Sequence, residues 1–277
     1  MSDLIRVALM YDFDNTLSPD YMQEYSLLPS LNCDKGDFWK FCNDIATKHN
    51  MDGILAYMYA ILDVSKKKNV PVSYDELKKQ GEKITFFNGV ETWFDRINAF
   101  GRKIGLEVEH YIISSGLKEI VEGTKIYPKF KRTFACSFAY DENNNAFWPS
   151  QAVNYTTKTQ YIFRIKKNKL DNLHDQKEVN EAMDPELKLP YMQMIYFGDS
   201  ETDIPCMKVI KDKGGHSICV YNPASEKYKK EAERLYHDKR VNFIAKADYT
   251  DGARLDRIVK HILTKIAIDR ELDSFKD

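Results

Sequence analysis

The sequence predicts an α/β fold: a Rossmann-like core with a mainly parallel sheet and helices on both faces, carrying a small added helical unit. Three observations lead there. Short apolar runs recur along the 277 residues with helical stretches between them. The first run is apolar almost throughout rather than alternating, as a strand buried on both faces must be. Three of the runs end in polar residues, as strands do where an open parallel sheet forms its ligand crevice.

Residues 4–11 (LIRVALMY) are the first strand, closed by Asp12. From 18 to 86 the apolar residues fall at helical spacing, as in Phe38, Trp39, Phe41, Cys42, Ile45 and Ala46, and Ser73 with Glu76 reads as a capping box. Gly89 opens a helix that ends near 101–105, and residues 108–113 (VEHYII) form a strand running into Ser114, Ser115 and Gly116. A helix follows at 117–123. Residues 133–140 and 146–153 flank the turn-rich stretch Asp141 to Asn145 and form a hairpin. A helix over about 157–168 leads into a charged, irregular surface excursion at 169–190. Residues 192–197 (MQMIYF) run into Gly198 and Asp199 as another strand, 217–221 and 243–247 are further strands, and 252–268 is an amphipathic helix.

At roughly 150 residues per domain, the length allows two domains or one with an insertion. Charge is balanced, 41 basic against 42 acidic side chains, which excludes a whole-chain footprint for nucleic acid. Five scattered cysteines, none in a CxxC, read as reduced core thiols. No apolar stretch reaches membrane-spanning length, and the N-terminal run is too short for a secretion signal, so a cytoplasmic protein is expected.

The chemistry gathers at the three polar strand ends: Asp12, Asp14, Asn15 and Thr16; Ser114, Ser115 and Gly116; Gly198 and Asp199. Carboxylates brought together there repel one another unless a proton or a cation relieves them, and a hard, oxygen-liganded cation such as Mg²⁺ suits the donor set. Each piece alone is weak, because 42 acidic residues in 277 yield about six acid-x-acid pairs by composition.

Taken in order, the pieces resemble the haloacid dehalogenase (HAD) superfamily. Asp12-Phe13-Asp14-Asn15-Thr16 is similar to its first motif, Ser114 to the second, Lys158 to the third, and Gly198-Asp199 with Asp203 to the fourth. Ser115 competes with Ser114, and Lys166 and Lys167 stand near Lys158. The resemblance covers 8–18 and 88–250. It implies a catalytic core of 1–17 and 87–277, with 18–86 inserted between the first two motifs as a helical cap of the C1 type.

The resemblance further implies a Mg²⁺-dependent phosphatase acting on a small phosphorylated substrate. Asp12 would attack phosphorus and form an aspartyl-phosphate, and Asp14 would act as general acid and then base. Mg²⁺ would lie between the Asp12 carboxylate, the Asp14 backbone carbonyl and Asp199. Ser114 or Ser115, with Lys158, would hold the phosphoryl group, and Asp203 would orient Lys158 or a metal-bound water. Family members that cleave carbon–halogen bonds lack an acid at the position of Asp14, and ion pumps carry Thr there. A phosphotransferase or phosphomutase using the same intermediate is the alternative, as is a non-catalytic binding protein on the same scaffold. The core resembles the phosphoserine phosphatase branch, but Tyr21 stands where that branch carries a Glu for the substrate amine, with Glu24 three residues on.

Overall fold

A computed structural model describes residues 4–183 and 188–276. The expected excursion at 169–190 therefore includes four residues, 184–187, that lie outside the described ones. Seven strands form one sheet, and the first is its centre. β1 (Ile5–Tyr11) leads through the helices α1 (Met22–Tyr25), α2 (Leu27–Ser30), α3 (Lys35–His49), α4 (Gly53–Lys68), α5 (Tyr74–Gln80) and α6 (Val90–Lys103) to β2 (Leu106–Leu117). α7 (Lys118–Glu122) then precedes the hairpin of β3 (Arg132–Tyr140) and β4 (Ala146–Gln151). α8 (Lys158–Lys166) and α9 (Gln176–Asn180) precede β5 (Met194–Gly198), followed by α10 (Ile204–Asp212), β6 (His216–Tyr221), α11 (Glu226–His237), β7 (Phe243–Lys246) and α12 (Arg254–Asp273).

The sheet order is β4-β3-β2-β1-β5-β6-β7, parallel except for the edge strand β4. Chain order moves one way from β1 to β2 and the other way from β1 to β5. With right-handed crossovers, the two directions place their helices on opposite faces. α6 packs with α12, tied by Arg96 Nη1 to Asp256 Oδ1 at 2.8 Å, while α10 packs with α8 on the other side. Both faces of β1 are thereby covered, and Val7 to Tyr11 are fully buried. This is why the strand reads as an uninterrupted apolar run.

The reversal of strand order at β1 places the crevice of the sheet, which opens at such a point beyond the carboxyl ends of the strands. Tyr11 lies in register with Ile112 on one side and Phe197 on the other. The next residue, Asp12, still donates its backbone N–H to Phe197 O at 2.9 Å. The ends of β1 and β5 are thus level, while β2 runs on beyond them.

The helices between β1 and β2 start and stop where their capping residues say. Asp34 accepts from the N–H groups of Gly36 and Asp37, and Asp52 from Ile54 and Leu55. Asn50 and Asn69 close α3 and α4 in the left-handed conformation. Ser73 and Glu76 form the expected capping box of α5. The segment is joined to the rest by several bonds, among them Asp52 accepting from Asn154 Nδ2 at 2.9 Å and Tyr74 donating to Glu122 at 2.8 Å.

One expectation differs in detail. β2 does not stop at Ile113 but continues to Leu117, with a register shift against β3 between Ile113 and Leu117. The Ser-Ser-Gly stretch lies within this irregularity, and the residue before α7 is Leu117 rather than a capping serine. A bulge re-aims side chains at the end of a strand. That effect falls on Ser114 and Ser115.

Candidate active site

Four carboxyl groups and one ammonium meet beyond the level ends of β1 and β5, all of them buried: Asp12, Asp14, Asp199, Asp203 and Lys158. Asp12 and Asp14 leave β1 through a tight turn, in which Asn15 takes a left-handed φ of 57° and Leu17 N donates back to Phe13 O at 2.8 Å. Asn15 and Thr16 therefore shape the turn. Lys158 is set at the start of α8 by the turn before it. Asn154 Oδ1 accepts from the N–H groups of Thr156 and Thr157, and Lys158 N donates to Asn154 O at 2.9 Å.

Lys158 Nζ donates to Asp12 Oδ1 at 2.9 Å and to Asp203 Oδ1 at 2.7 Å. Lys166 and Lys167 point elsewhere, to Leu189 O and to Val179 and Glu181 O. Asp203 is held on every side. Its Oδ1 also accepts from Tyr196 Oη at 2.8 Å, and its Oδ2 from the Asp199 N–H at 3.2 Å. Gly198 permits that grip, because a Cβ there would stand 2.5 Å from the Asp203 Cγ.

Asp14 Oδ1 accepts from Met22 N at 2.9 Å, and Met22 Sδ in turn lies 3.0 Å from Leu117 N. This clasp passes directly over Gly116, where a Cβ would come within 2.2 Å of Met22 Cε. Ser114 Oγ accepts from Gly116 N at 3.0 Å, whereas Ser115 Oγ is buried with no partner among the described residues. Ser115 O accepts from Tyr57 Oη of α4 at 2.7 Å.

The electrostatics follow from burial and crowding. Burial raises the Asp12 pKa to about 6, against the lowering effect of Lys158. Asp14 is pushed well above the usual carboxylate range by burial and then by Asp12. Asp199 is raised well above it too, by burial and by the neighbouring Asp203 and Asp12. Burial alone would lower the Lys158 pKa, but Asp12 and Asp203 outweigh it and raise it, so the ammonium is a permanent charge.

Carboxylate oxygens of Asp12, Asp199 and Asp203 lie within 4.8 Å of one another. Asp203 is spent on Lys158, Tyr196 and the Asp199 amide. Among the described residues the Asp199 carboxylate accepts no hydrogen bond from a protein donor. A crowded, under-neutralised set of hard oxygen donors fits a divalent cation. Asp12 and Asp199 are the carboxylates free to hold it.

These groups form the floor of a cavity of about 400 Å³, whose wall includes Tyr21 and Gln23 at α1, Trp39 from α3, and Ile54 and Tyr57 from α4. All seven residues singled out in the sequence lie in or beside it. Lys158, Ser114 and Ser115 line it, as do Asp12, Asp14 and Asp199, while Asp203 sits behind Lys158. Met22, Asn154 and Tyr196 join the site without a sequence motif that marks them. Asn154 with Thr157 is a readable turn signal, but Tyr196 lies in an apolar strand run that says nothing of where its hydroxyl points.

No protein-family model matches the sequence. An uncharacterised protein of Borreliella burgdorferi is 25% identical over 276 residues, 90% of this chain and 93% of that protein. Among solved structures, a HAD family hydrolase of Salmonella enterica serovar Typhi superposes with a TM-score of 0.59 at 14% identity, over 94% of this chain and 72% of that one. A phosphoserine phosphatase solved as a phospho-aspartyl intermediate analogue gives a TM-score of 0.56 at 14% identity, over 93% and 99%. A probable phosphoserine phosphatase from Vibrio cholerae gives 0.56 at 11% identity, over 96% and 67%. The chain therefore shares the HAD-like fold of these structures.

Proposed function

We propose that the protein is a phosphatase that hydrolyses a small phosphomonoester through an aspartyl-phosphate on Asp12, with Mg²⁺ as cofactor. The observation that carries this reading is the pair Asp12–Lys158, buried at the end of the central strand with Asp14 two residues on. A nucleophile held by a fixed charge, beside a carboxyl group whose pKa is pushed upward, is what phosphoryl transfer with a protonated leaving group needs.

In this reading Asp12 Oδ attacks phosphorus while Lys158 and Ser114 or Ser115 hold the phosphoryl oxygens. Ser115 Oγ has an unused bond to give. Asp14, whose pKa burial and Asp12 push upward, donates to the leaving alkoxide and then takes a proton from the water that cleaves the acyl phosphate. Asp203 keeps Lys158 in place and does not itself meet substrate. Asp12, Asp199 and the Asp14 backbone carbonyl would hold Mg²⁺, which supplies neutralisation of phosphate charge as the anionic nucleophile approaches. Residues 18–86 act as a cap over the core of 1–17 and 87–277, and Tyr57 ties the two at Ser115.

A phosphomonoester panel with Mg²⁺ tests the reading. Phosphate release is expected from wild type and is expected to fall by about 10³-fold or more in Asp12→Asn. Wild type inert toward the whole panel would contradict it. Lys158→Met is expected to lower kcat by about 10²–10³-fold.

A further inference from the structure

Away from the aspartates the cavity changes character. Among the described residues that line it, the charged ones are Asp12, Asp14, Lys158 and Asp199, all at the floor. The wall is neutral. Glu24, next to Gln23, is not part of the lining, and both of its oxygens are engaged: Oε1 accepts from Trp39 Nε1 at 2.8 Å and Oε2 from Lys35 at 3.4 Å. A buried charge on the leaving group would have no counter-charge here, and an unpaired buried charge is costly.

Two features of the wall are positive rather than absent. The indole of Trp39, fixed by its bond to Glu24, stands between Tyr21, with centroids 5.5 Å apart, and Tyr57, at 6.3 Å. Gln23 is 2% exposed, and its Oε1 is buried with no hydrogen-bond partner among the described residues. An acceptor left unpaired at a cavity wall calls for a donor from whatever fills the cavity.

We propose that the alcohol part of the substrate is uncharged, carries a planar ring that seats against Trp39, and presents an N–H or O–H donor to Gln23 Oε1. This rests on the phosphatase reading of the floor. A nucleoside 5′-monophosphate meets the description; phosphoserine, sugar bisphosphates and phosphoesters of alkylammonium alcohols do not.

The test compares kcat/KM with Mg²⁺ for a nucleoside 5′-monophosphate, phenyl phosphate (ring, no donor), glycerol phosphate (donors, no ring), phosphoserine and choline phosphate. Acetyl phosphate serves as a ringless probe of the floor alone. The nucleotide is expected to lead glycerol phosphate by about tenfold or more, the discrimination a well-made polar or stacking contact gives. Gln23→Leu is expected to erase the lead of the nucleotide over phenyl phosphate. Trp39→Leu, and the more exposed Tyr21→Leu should the first fold poorly, are expected to erase the lead of ring over ringless esters. Phosphoserine or choline phosphate preferred, or ratios unmoved by these variants, would overturn the proposal while leaving the phosphatase reading intact. If even acetyl phosphate is inert, the phosphatase reading fails. The wall is then judged by calorimetric titration with the nucleotide: binding weakened in Trp39→Leu supports it, and no binding overturns it.

Discussion

The Lys158 ammonium is shared by two carboxylates, and the sharing separates their roles. Asp203 is also bound by Tyr196 and the Asp199 amide, so it anchors, whereas Asp12 faces the cavity. A second buried titratable group lies on the same strands, away from the cavity. His110 is 2% exposed in a chain of bonds: Trp93 Nε1 donates to Tyr11 Oη, which lies 3.0 Å from His110 Nδ1, and His110 Nε2 lies 2.9 Å from Asn98 Oδ1. Burial pushes the His110 pKa down to about 3, with Asp95 opposing weakly. The unfolded chain takes up this proton below about 6.5 and the folded one resists it down to about 3, so stability falls as pH drops through that window. In denaturant melts with Mg²⁺ between pH 6.5 and 5, wild type is expected to lose about 1.6 kcal/mol more than His110→Gln over the window. Parallel slopes would show that His110 titrates normally.

At the scale of elements, the site depends on a close approach at Gly198, against the held carboxyl group of Asp203. Gly198→Ala would put a methyl where the Asp203 carboxyl sits. Its expected effect is a kcat fall of about 10²-fold or more together with a lower melting temperature, because Lys158 loses its anchor. Unchanged kinetics would mean that Asp203 is dispensable. The sequence shows these elements unevenly, for physical reasons. β1 and β5 are legible because both of their faces are buried, and Asp12, Asp14 and Asp199 are legible because they end those runs. α10 and α11 carry no expectation from the sequence. α11 buries only Ala232 and Leu235 among charged residues, so its apolar stripe is too thin to read, and α10 is a short helix with Pro205 in its first turn. The Met22 clasp on Asp14 is equally silent, since a backbone N–H and a thioether leave no pattern along a chain.

For the molecule as a whole, the near-zero net charge hides a concentration of negative charge at one end of the sheet. Carboxyl groups so crowded repel one another unless a proton or a cation relieves them. Thermal melts are expected to show Mg²⁺ raising the melting temperature of wild type, with stabilisation of about 2.7 kcal/mol at a hundred times its dissociation constant. Asp199→Asn is expected to melt higher than wild type without Mg²⁺ and to lose the response to it. A variant that still responds fully would place the cation elsewhere. The central claim concerns one covalent bond, between phosphorus and the Asp12 carboxylate. Its most direct test is mass-spectrometric mapping of protein quenched in acid during turnover of a phosphomonoester with Mg²⁺. Phosphate on the peptide carrying Asp12, absent from Asp12→Asn, is the predicted result. Steady phosphate release from wild type with residue 12 unmodified, or with phosphate on another residue, would contradict the account.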